Sequence, residues 1–283
     1  MRAIGSGRRL VLLLALGLAM APRGGFLAAE EVPFITTPDR VALAMLEIAN
    51  VAASDQVLDL GSGDGRIVIL AAKRFGARGL GVEIVPDLVQ KSRANARLAG
   101  VQDRVEFREQ DLFATDLSAA SVITMYLLPE VNLQLRPRLL SLEPGTRIVS
   151  HDWDMGDWAP DRSLTIAVPD KAVGLEKSSR VHLWVVPGRV HGLWCGLDRA
   201  RGAALRFTQD FQTFSARLGG VAEVDGFAGR IDAAALNAGA EGSKLQLEMR
   251  GDRLYVIRAS GRYAPLESMA FGRSLMPACQ RKP

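Results

Sequence analysis

The sequence predicts an α/β fold: a doubly wound, mainly parallel seven-stranded sheet, followed by a small antiparallel β unit. Strand-like and helical segments alternate from residue 56 to residue 151. An apolar run at 57–60 breaks into a glycine-rich loop, as a strand does before a ligand-binding turn. Beyond Pro187-Gly188 the chain changes to short β-like runs punctuated by glycine.

The first half of the chain supplies the elements of the parallel sheet. Thr37-Pro38 has the form of a helix N-cap followed by proline at the first helical position, with an apolar face at Val41, Leu43, Ala44, Leu46 and Ile48. Strands are predicted at 56–60, 79–84, 104–110, 121–126 and 146–151, and helices at 66–75, 86–99 and 132–140. Two further runs, 164–168 and 181–186, lack a clear helix between them. We expect them to form an antiparallel pair at the sheet edge.

The region from residue 188 to residue 283 is predicted to be a separate β unit. Its apolar runs lie at 204–207, 221–224, 244–250 and 253–259, and the last two flank Gly251-Asp252, a hairpin signal. A sandwich and an open barrel are both compatible with this pattern. The unit holds no catalytic constellation of residues.

The N-terminus is typical of a secretory signal or membrane anchor. Arg8-Arg9 precedes an apolar run at 10–21, and small residues at 19–21 and 27–29 offer cleavage sites. We therefore divide the chain into a leader at 1–29, an α/β domain at 30–187 and the β unit at 188–283. The protein is expected to be exported, periplasmic or membrane-anchored, and to lie near a membrane through its N-terminus. A position on the cytosolic face of the membrane is the alternative.

The charge and the cysteines of the chain indicate which partners, metals and disulfides to expect. The 35 basic residues are scattered among 31 acidic ones, for a net charge of +4, which argues against nucleic acid as the obligatory partner. Cys195 and Cys279 match no metal-ligand spacing, so no metal site is predicted. In an exported chain they can form a disulfide; two unrelated buried thiols are the alternative.

The glycine loop Gly61-Ser62-Gly63-Asp64-Gly65 is the main functional signal. A dinucleotide fingerprint requires its third glycine one position later, where this chain has Arg66, so the spacing fits NAD poorly. Acids stand at three successive predicted strand ends: Asp59, Glu83 and Asp111. Each alone is explained as a solvated carboxylate or a helix N-terminal charge; together, beside this loop, they indicate a ligand rich in hydroxyls and amines.

S-adenosylmethionine fits that description because it carries no phosphate. Glu83 can accept both ribose hydroxyls, as an equivalent acid does in dinucleotide sites. Asp111 can accept the adenine amino group. Asp59 or Asp64 can face the methionine ammonium. The predicted cofactor is therefore S-adenosylmethionine.

The motif Asp59-Leu60-Gly61-Ser62-Gly63-Asp64-Gly65 with Gly81-Val82-Glu83 resembles the class I S-adenosylmethionine-dependent methyltransferases. The surrounding motifs narrow the resemblance: Pro33-Phe34-Ile35-Thr36-Thr37-Pro38, Asp111-Leu112-Phe113, Tyr126-Leu127-Leu128-Pro129 and the 144–151 segment. Together they are similar to the membrane-anchored protein-lysine methyltransferases of the mitochondrial ATP synthase c subunit and adenine nucleotide carrier, and to their bacterial relatives. The resemblance implies a class I fold and a protein lysine as acceptor.

The resemblance also implies two further cofactor contacts. Leu112 follows Asp111 in the matched motif, and Thr37 would close over the cofactor. Capping of the first helix explains Thr37 equally well.

The acceptor should enter over the ends of the fourth and fifth strands, beside Tyr126, His151 and Asp152. Methyl transfer from a sulfonium is an in-line displacement, so few catalytic side chains are needed. Asp152 or His151 can pass the lysine proton to water, although His151 is equally explained as an ordinary strand-end residue. Asn132 is expected to cap a helix rather than bind a ligand.

The function expected from the sequence is N-methylation of a protein lysine. Within enzymes, the alternative is a small-molecule or nucleic-acid methyltransferase. Outside enzymes, it is a non-catalytic binding protein that presents the β unit to an envelope partner. Two features depart from the resemblance: the β unit lies outside it, and export would separate the enzyme from cytosolic cofactor.

Overall fold

A computed structural model describes residues 35–171, 176–221, 225–240 and 242–279. The predicted leader at 1–29 lies outside the described residues, as does most of the apolar run at 221–224. Within the described ranges, no helix is long and apolar enough to span a bilayer.

The first part of the described chain alternates helices and strands. The helices are α1 (Asp39–Ile48), α2 (Arg66–Phe75), α3 (Pro86–Leu98) and α4 (Pro129–Leu139). The strands are β1 (Gln56–Leu60), β2 (Arg78–Glu83), β3 (Val105–Glu109), β4 (Val122–Met125), β5 (Arg147–His151), β6 (Arg162–Ala167) and β7 (Ser178–Val185). Most bounds agree with the sequence prediction within two residues; α4 and β7 each begin three residues earlier than predicted, at Pro129 and Ser178.

These strands form one seven-stranded sheet in the order β3-β2-β1-β4-β5-β7-β6. The first five strands run parallel, while β7 pairs antiparallel with both β5 and β6. The predicted antiparallel pair at the sheet edge is therefore confirmed. The strand order reverses between β1 and β4, which is where ligands bind in open α/β sheets.

Successive residues of the central strands face opposite layers of the core. Val57 packs with the layer that includes α1, and the next residue, Leu58, packs with the layer that includes α4. In α1 the buried side chains are Val41, Ala42, Met45, Leu46 and Ile48. Leu43 and Ala44, expected on the apolar face, are only half-buried. The helix is thus rotated slightly from the predicted orientation.

The C-terminal unit is a closed barrel of eight antiparallel strands. In chain order they are β8 (Gly192–Leu197), β9 (Ala204–Asp210), β10 (Thr213–Gly219), β11 (Gly226–Asp232), β12 (Ala235–Ala240), β13 (Ser243–Arg250), β14 (Arg253–Ala259) and β15 (Ala270–Ser274). Each strand pairs with its successor, and β15 returns to β8. The expected sandwich or open barrel is therefore wrong, because this last pairing closes the sheet and removes its edges.

Side chains fill the interior of the barrel. Its buried aromatic residues are Trp194, Phe207, Phe214, Phe227, Tyr263 and Phe271. The predicted hairpin at Gly251-Asp252 joins β13 to β14. Cys195 of β8 forms a disulfide with Cys279, with a Cα–Cα distance of 5.5 Å. Of the two alternatives for the cysteines, the structure has the disulfide.

Candidate active site

The glycine loop between β1 and α2 lies at the carboxyl end of the parallel strands. Gly61, Gly63 and Gly65 all have left-handed backbones, with φ of 74°, 54° and 80°. A Cβ at Gly65 would lie 2.6 Å from the Phe107 ring and 2.8 Å from Ser92. Glycine is required there by both conformation and space. The amides of Gly61 and Ser62 donate to the Val82 carbonyl at 3.0 and 2.9 Å, which anchors the loop to β2.

Glu83, at the end of β2, fixes the loop from the side. Its Oε2 accepts a hydrogen bond from the Gly63 amide at 2.9 Å. Its Oε1 accepts from the amides of Ile84 and Val85 at 2.8 and 3.1 Å. Three amide donors satisfy a carboxylate that is only 9% exposed. Carboxylate oxygens have further lone pairs, so Glu83 can still accept ribose hydroxyls.

Asp59 is the most deeply buried acid of the site. It is 3% exposed and accepts a hydrogen bond from the Thr124 hydroxyl at 2.7 Å. Burial raises the pKa of Asp59 to about 7; the Thr124 bond opposes the shift, and the nearby Glu83 and Asp64 add to it. This carboxyl therefore changes charge near neutral pH.

The Asp64 carboxylate forms an ion pair with Arg66. Arg66 Nε and Nη2 donate to its two carboxylate oxygens at 2.9 and 2.7 Å, and Arg66 also donates to the Thr37 carbonyl at 2.9 Å. Burial raises the pKa of Asp64, but the bonds from Arg66 outweigh it and hold that pKa below its usual value. Of the two acids predicted to face the cofactor ammonium, this pairing favours Asp59.

The ends of β2 and β3 form the next part of the cleft. Asp111 accepts a hydrogen bond from the Phe113 amide at 2.8 Å and so begins a short 3-10 turn that contains Leu112. The Gln110 amide donates to the Glu83 carbonyl at 2.9 Å, which brings the two strand ends together. Ile84, predicted as the last residue of a strand and not as a site residue, exposes 68% of its surface here. Its signal in the sequence is an apolar residue directly after the strand-end acid.

Thr37 and His151 meet on the α1 side of the sheet. Pro38, not Thr37, is the N-cap of α1, so the expected cap at Thr37 is wrong. The Thr37 hydroxyl instead lies 3.1 Å from His151 Nδ1, and the Ser179 hydroxyl lies 2.9 Å from His151 Nε2. Burial lowers the pKa of His151 to about 4, against the raising effect of Asp152. His151 is therefore neutral at physiological pH.

Tyr126, His151 and Asp152 come together at the ends of β4 and β5. The Tyr126 and His151 ring centroids are 3.9 Å apart. Asp152 accepts from Lys171 Nζ at 2.8 Å and from the Arg180 amide at 2.8 Å. Burial, followed by the charge of Asp152, raises the pKa of Tyr126. Lys171 and Ser179 were missed from sequence, because they lie on the segments that lead into the antiparallel edge and carry no motif.

Asn132 does not cap a helix. It lies inside α4, fully buried, and its Nδ2 is 3.2 Å from the Ser150 hydroxyl.

Among the residues that the structure describes, no group of three or more His, Cys, Asp or Glu is placed to hold a metal ion.

Comparison with known proteins identifies the family. The ANTKMT methyltransferase domain model matches residues 59–162. A protein-lysine N-methyltransferase of Saccharolobus islandicus is 43% identical over 138 residues, which cover 48% of this chain and 86% of that protein. The chain belongs to the ANTKMT methyltransferase family. It is an S-adenosylmethionine-dependent methyltransferase.

Two further proteins are similar to this chain. The mouse adenine nucleotide translocase lysine N-methyltransferase is 33% identical over 132 residues, which cover 46% of this chain and 57% of that protein. A solved RNA methyltransferase from Salinibacter ruber, in complex with S-adenosyl-L-homocysteine, is 54% identical over 55% of this chain and 96% of that chain, with a TM-score of 0.49. The barrel of this methyltransferase lies beyond the matched domain, which ends at residue 162.

The chemistry of the donor set fits S-adenosylmethionine. The cleft combines acceptors for hydroxyls and amines, namely Glu83, Asp59 and Asp111, with a left-handed glycine loop that carries no side chain at Gly61, Gly63 or Gly65. When bound, the cofactor supplies an activated methyl group on a cationic sulfur. Glu83 would hold the ribose, and Asp59 the cationic methionine end.

Replacement of Glu83 by glutamine should weaken S-adenosylmethionine binding at least about tenfold, because a charge-assisted acceptor for three amides and the ribose is lost. Isothermal calorimetry measures the change. Glu109→Gln is the matched control, since Glu109 is the register partner of Glu83 on β3 and is exposed. An equal loss in both variants would contradict the role of Glu83.

Asp59 should make cofactor binding depend on pH. Its carboxyl is neutral below a pKa of about 7 and ionised above it, and only the ionised form attracts the cofactor cation. Affinity should therefore rise by about tenfold between pH 5.5 and pH 7. Asp59→Asn should flatten this rise, whereas Asp64→Asn should retain it, since Asp64 is already ionised. A rise that persists in Asp59→Asn would exclude this assignment.

Proposed function

We propose that this methyltransferase transfers methyl groups to lysine side chains of a protein. The observation that carries the proposal is its 43% identity to the archaeal protein-lysine N-methyltransferase across 86% of that protein. The acceptor side of the site supports it. Tyr126 and Leu128 at the end of β4 provide an aromatic and apolar rim that suits the aliphatic stem of a lysine.

The charges beside this rim suit an amine nucleophile. A lysine amine attacks only after it loses its proton, and a neighbouring cation lowers its pKa. The cationic sulfur of the bound cofactor would supply such a cation, and Asp152 supplies a carboxylate that can hold the ammonium before proton loss. His151 is a weak base, since its pKa is about 4 and both ring nitrogens have hydroxyl partners. We therefore assign proton transfer to water to Asp152 and a positioning role to His151.

Electrostatics disfavour RNA as the acceptor, although a solved relative is an RNA methyltransferase. Residues 30–187 contain 17 Lys and Arg against 22 Asp and Glu, a net charge of −5. Two cations at the edge of the site, Arg66 and Lys171, are each paired with a carboxylate. A phosphate backbone is bound by free basic side chains. The α/β domain is therefore poorly suited to hold one.

The acceptor class can be measured directly. Methyl-labelled S-adenosylmethionine, incubated with the protein and a lysate of its host, should label the protein fraction on lysine and leave RNA and lipid unlabelled. Asp152→Asn should lower kcat at least about tenfold without changing cofactor affinity. Asp154→Asn, two residues further along and exposed, is the matched control. Label confined to RNA or lipid would refute the proposal.

We further propose that the enzyme is exported or membrane-anchored through residues 1–29. The leader-like sequence and the Cys195–Cys279 disulfide support this, since disulfides persist in oxidising compartments.

The intact mass of the protein purified from its own host tests this location. For a cleaved export signal we expect loss of residues 1–29, and for an anchor the full-length chain in the membrane fraction. In both cases the mass should be two hydrogen atoms below that of the reduced chain. A full-length, reduced chain in the cytosolic fraction would contradict the proposal.

A further inference from the structure

The segment between β5 and β6, residues 152–161, borders the acceptor side of the site. We call it the β5–β6 loop. It begins at Asp152 and carries Trp153, which is 44% exposed. The other three tryptophans, Trp158, Trp184 and Trp194, are fully buried. Trp153 is thus the solvent-facing tryptophan next to the residues that would receive the acceptor.

The α/β domain holds the first half of this loop. Asn132 Nδ2 lies 3.4 and 3.3 Å from the carbonyls of Trp153 and Asp154. Arg136 donates to the Met155 carbonyl at 2.8 Å and also pairs with Asp157. These contacts come from one helix, α4.

Both the α/β domain and the barrel hold the second half. From β7, Trp184 Nε1 donates to the Trp158 carbonyl at 2.7 Å, and Asp161 bonds to the backbone of Leu183 and Val185 at 2.8 Å each.

The barrel adds further contacts to this half. Gln212, in the turn between β9 and β10, accepts a hydrogen bond from Trp158 Nε1 at 3.0 Å. Its Nε2 donates to Asp161 at 2.9 Å and lies 3.4 Å from the Ala159 carbonyl. Gln212 is only 5% exposed, so these bonds are shielded from water. Arg230 of β11 forms an ion pair with the same Asp161.

The residue before Gln212 adds a packing contact. The Phe211 ring stacks on Trp158, with centroids 6.1 Å apart and an interplanar angle of 15°. The guanidinium of Arg136 lies 5.8 Å from the centre of the Phe211 ring, so the turn also contacts α4. Phe211 has a left-handed backbone, with φ of 46°, which is unfavourable for a bulky residue. The surrounding contacts hold this conformation in place.

We propose that the Phe211-Gln212 turn of the barrel positions the β5–β6 loop, and with it Trp153, for the methyl acceptor. Gln212 and Phe211 act through Trp158 and Asp161 and do not touch the reacting atoms, so they are positioning residues. The barrel then affects acceptor turnover and not cofactor binding, because the cofactor would be held by the glycine loop, which follows β1, and by Glu83, which ends β2. This inference requires an external acceptor, which the proposed function supplies.

Two variants test the proposal. Phe211→Gly removes the stacked ring but favours the left-handed turn, so it should fold. Gln212→Leu removes both sets of hydrogen bonds. Ser268→Gly and Gln246→Leu make the same kinds of change elsewhere in the barrel: Ser268 has a left-handed backbone with φ of 60°, and Gln246 lies on β13, three strands from β10. Both controls should behave as wild type.

The first readout is tryptophan fluorescence. Acrylamide reaches exposed tryptophan, so quenching reports on Trp153 against three buried tryptophans. We expect a higher quenching constant in Phe211→Gly and Gln212→Leu, and an unchanged dissociation constant for S-adenosylmethionine by calorimetry. Quenching constants equal to that of the wild type in both variants would overturn the proposal. So would a loss of S-adenosylmethionine affinity large enough to explain the whole loss of methyl transfer.

The second readout is methyl transfer to poly-L-lysine. In both variants kcat/KM for this acceptor should fall at least about tenfold, since misplacement by about 1 Å can cost 100-fold in rate. An unchanged kcat/KM would contradict the proposal. If the wild-type enzyme labels RNA and never poly-L-lysine, the lysine assignment fails, while the same comparison made on RNA still decides whether the turn positions the loop.

Discussion

The carboxylate of Glu83 ties the loop after β1 to the loop after β2. It accepts hydrogen bonds from the amides of Gly63, Ile84 and Val85, and a carboxylate buried to this extent would be costly without such partners. The bond to Gly63 adds to those that the Gly61 and Ser62 amides make to the Val82 carbonyl, and together they hold a glycine segment with a left-handed backbone. Cofactor binding and the position of α2 both depend on this junction.

The carboxyl edge of the sheet divides into two halves with different chemistry. The ends of β1, β2 and β3 present acids and backbone amides, which suit a cationic cofactor rich in hydroxyls. The ends of β4 and β5 present Tyr126, a neutral His151 and the Asp152–Lys171 pair, which suit an amine acceptor. Thr37 links the two halves, because its carbonyl accepts from Arg66 beside the glycine loop and its hydroxyl contacts His151.

The strand positions and the three strand-end acids could be predicted because each depends on a local pattern: an apolar run, then glycine or an acid. Contacts between distant segments could not. Thr37 resembles an N-cap in sequence, yet it bonds to His151, 114 residues away. Lys171 reaches Asp152 only because β7 inserts between β5 and β6. Barrel closure depends on β15 pairing with β8, which no short-range signal encodes. Asp64 was predicted as a ligand contact, whereas Arg66, two residues later, pairs with it.

The central claim is that Glu83 organises the loop and holds the cofactor with the same carboxylate. A crystal structure of the protein with S-adenosyl-L-homocysteine tests it most directly. The account predicts that Glu83 keeps its bond to the Gly63 amide while a ribose hydroxyl lies about 2.5–3.0 Å from one of its oxygens. A ribose bound elsewhere, or a Glu83 side chain that leaves Gly63 to reach it, would contradict the account.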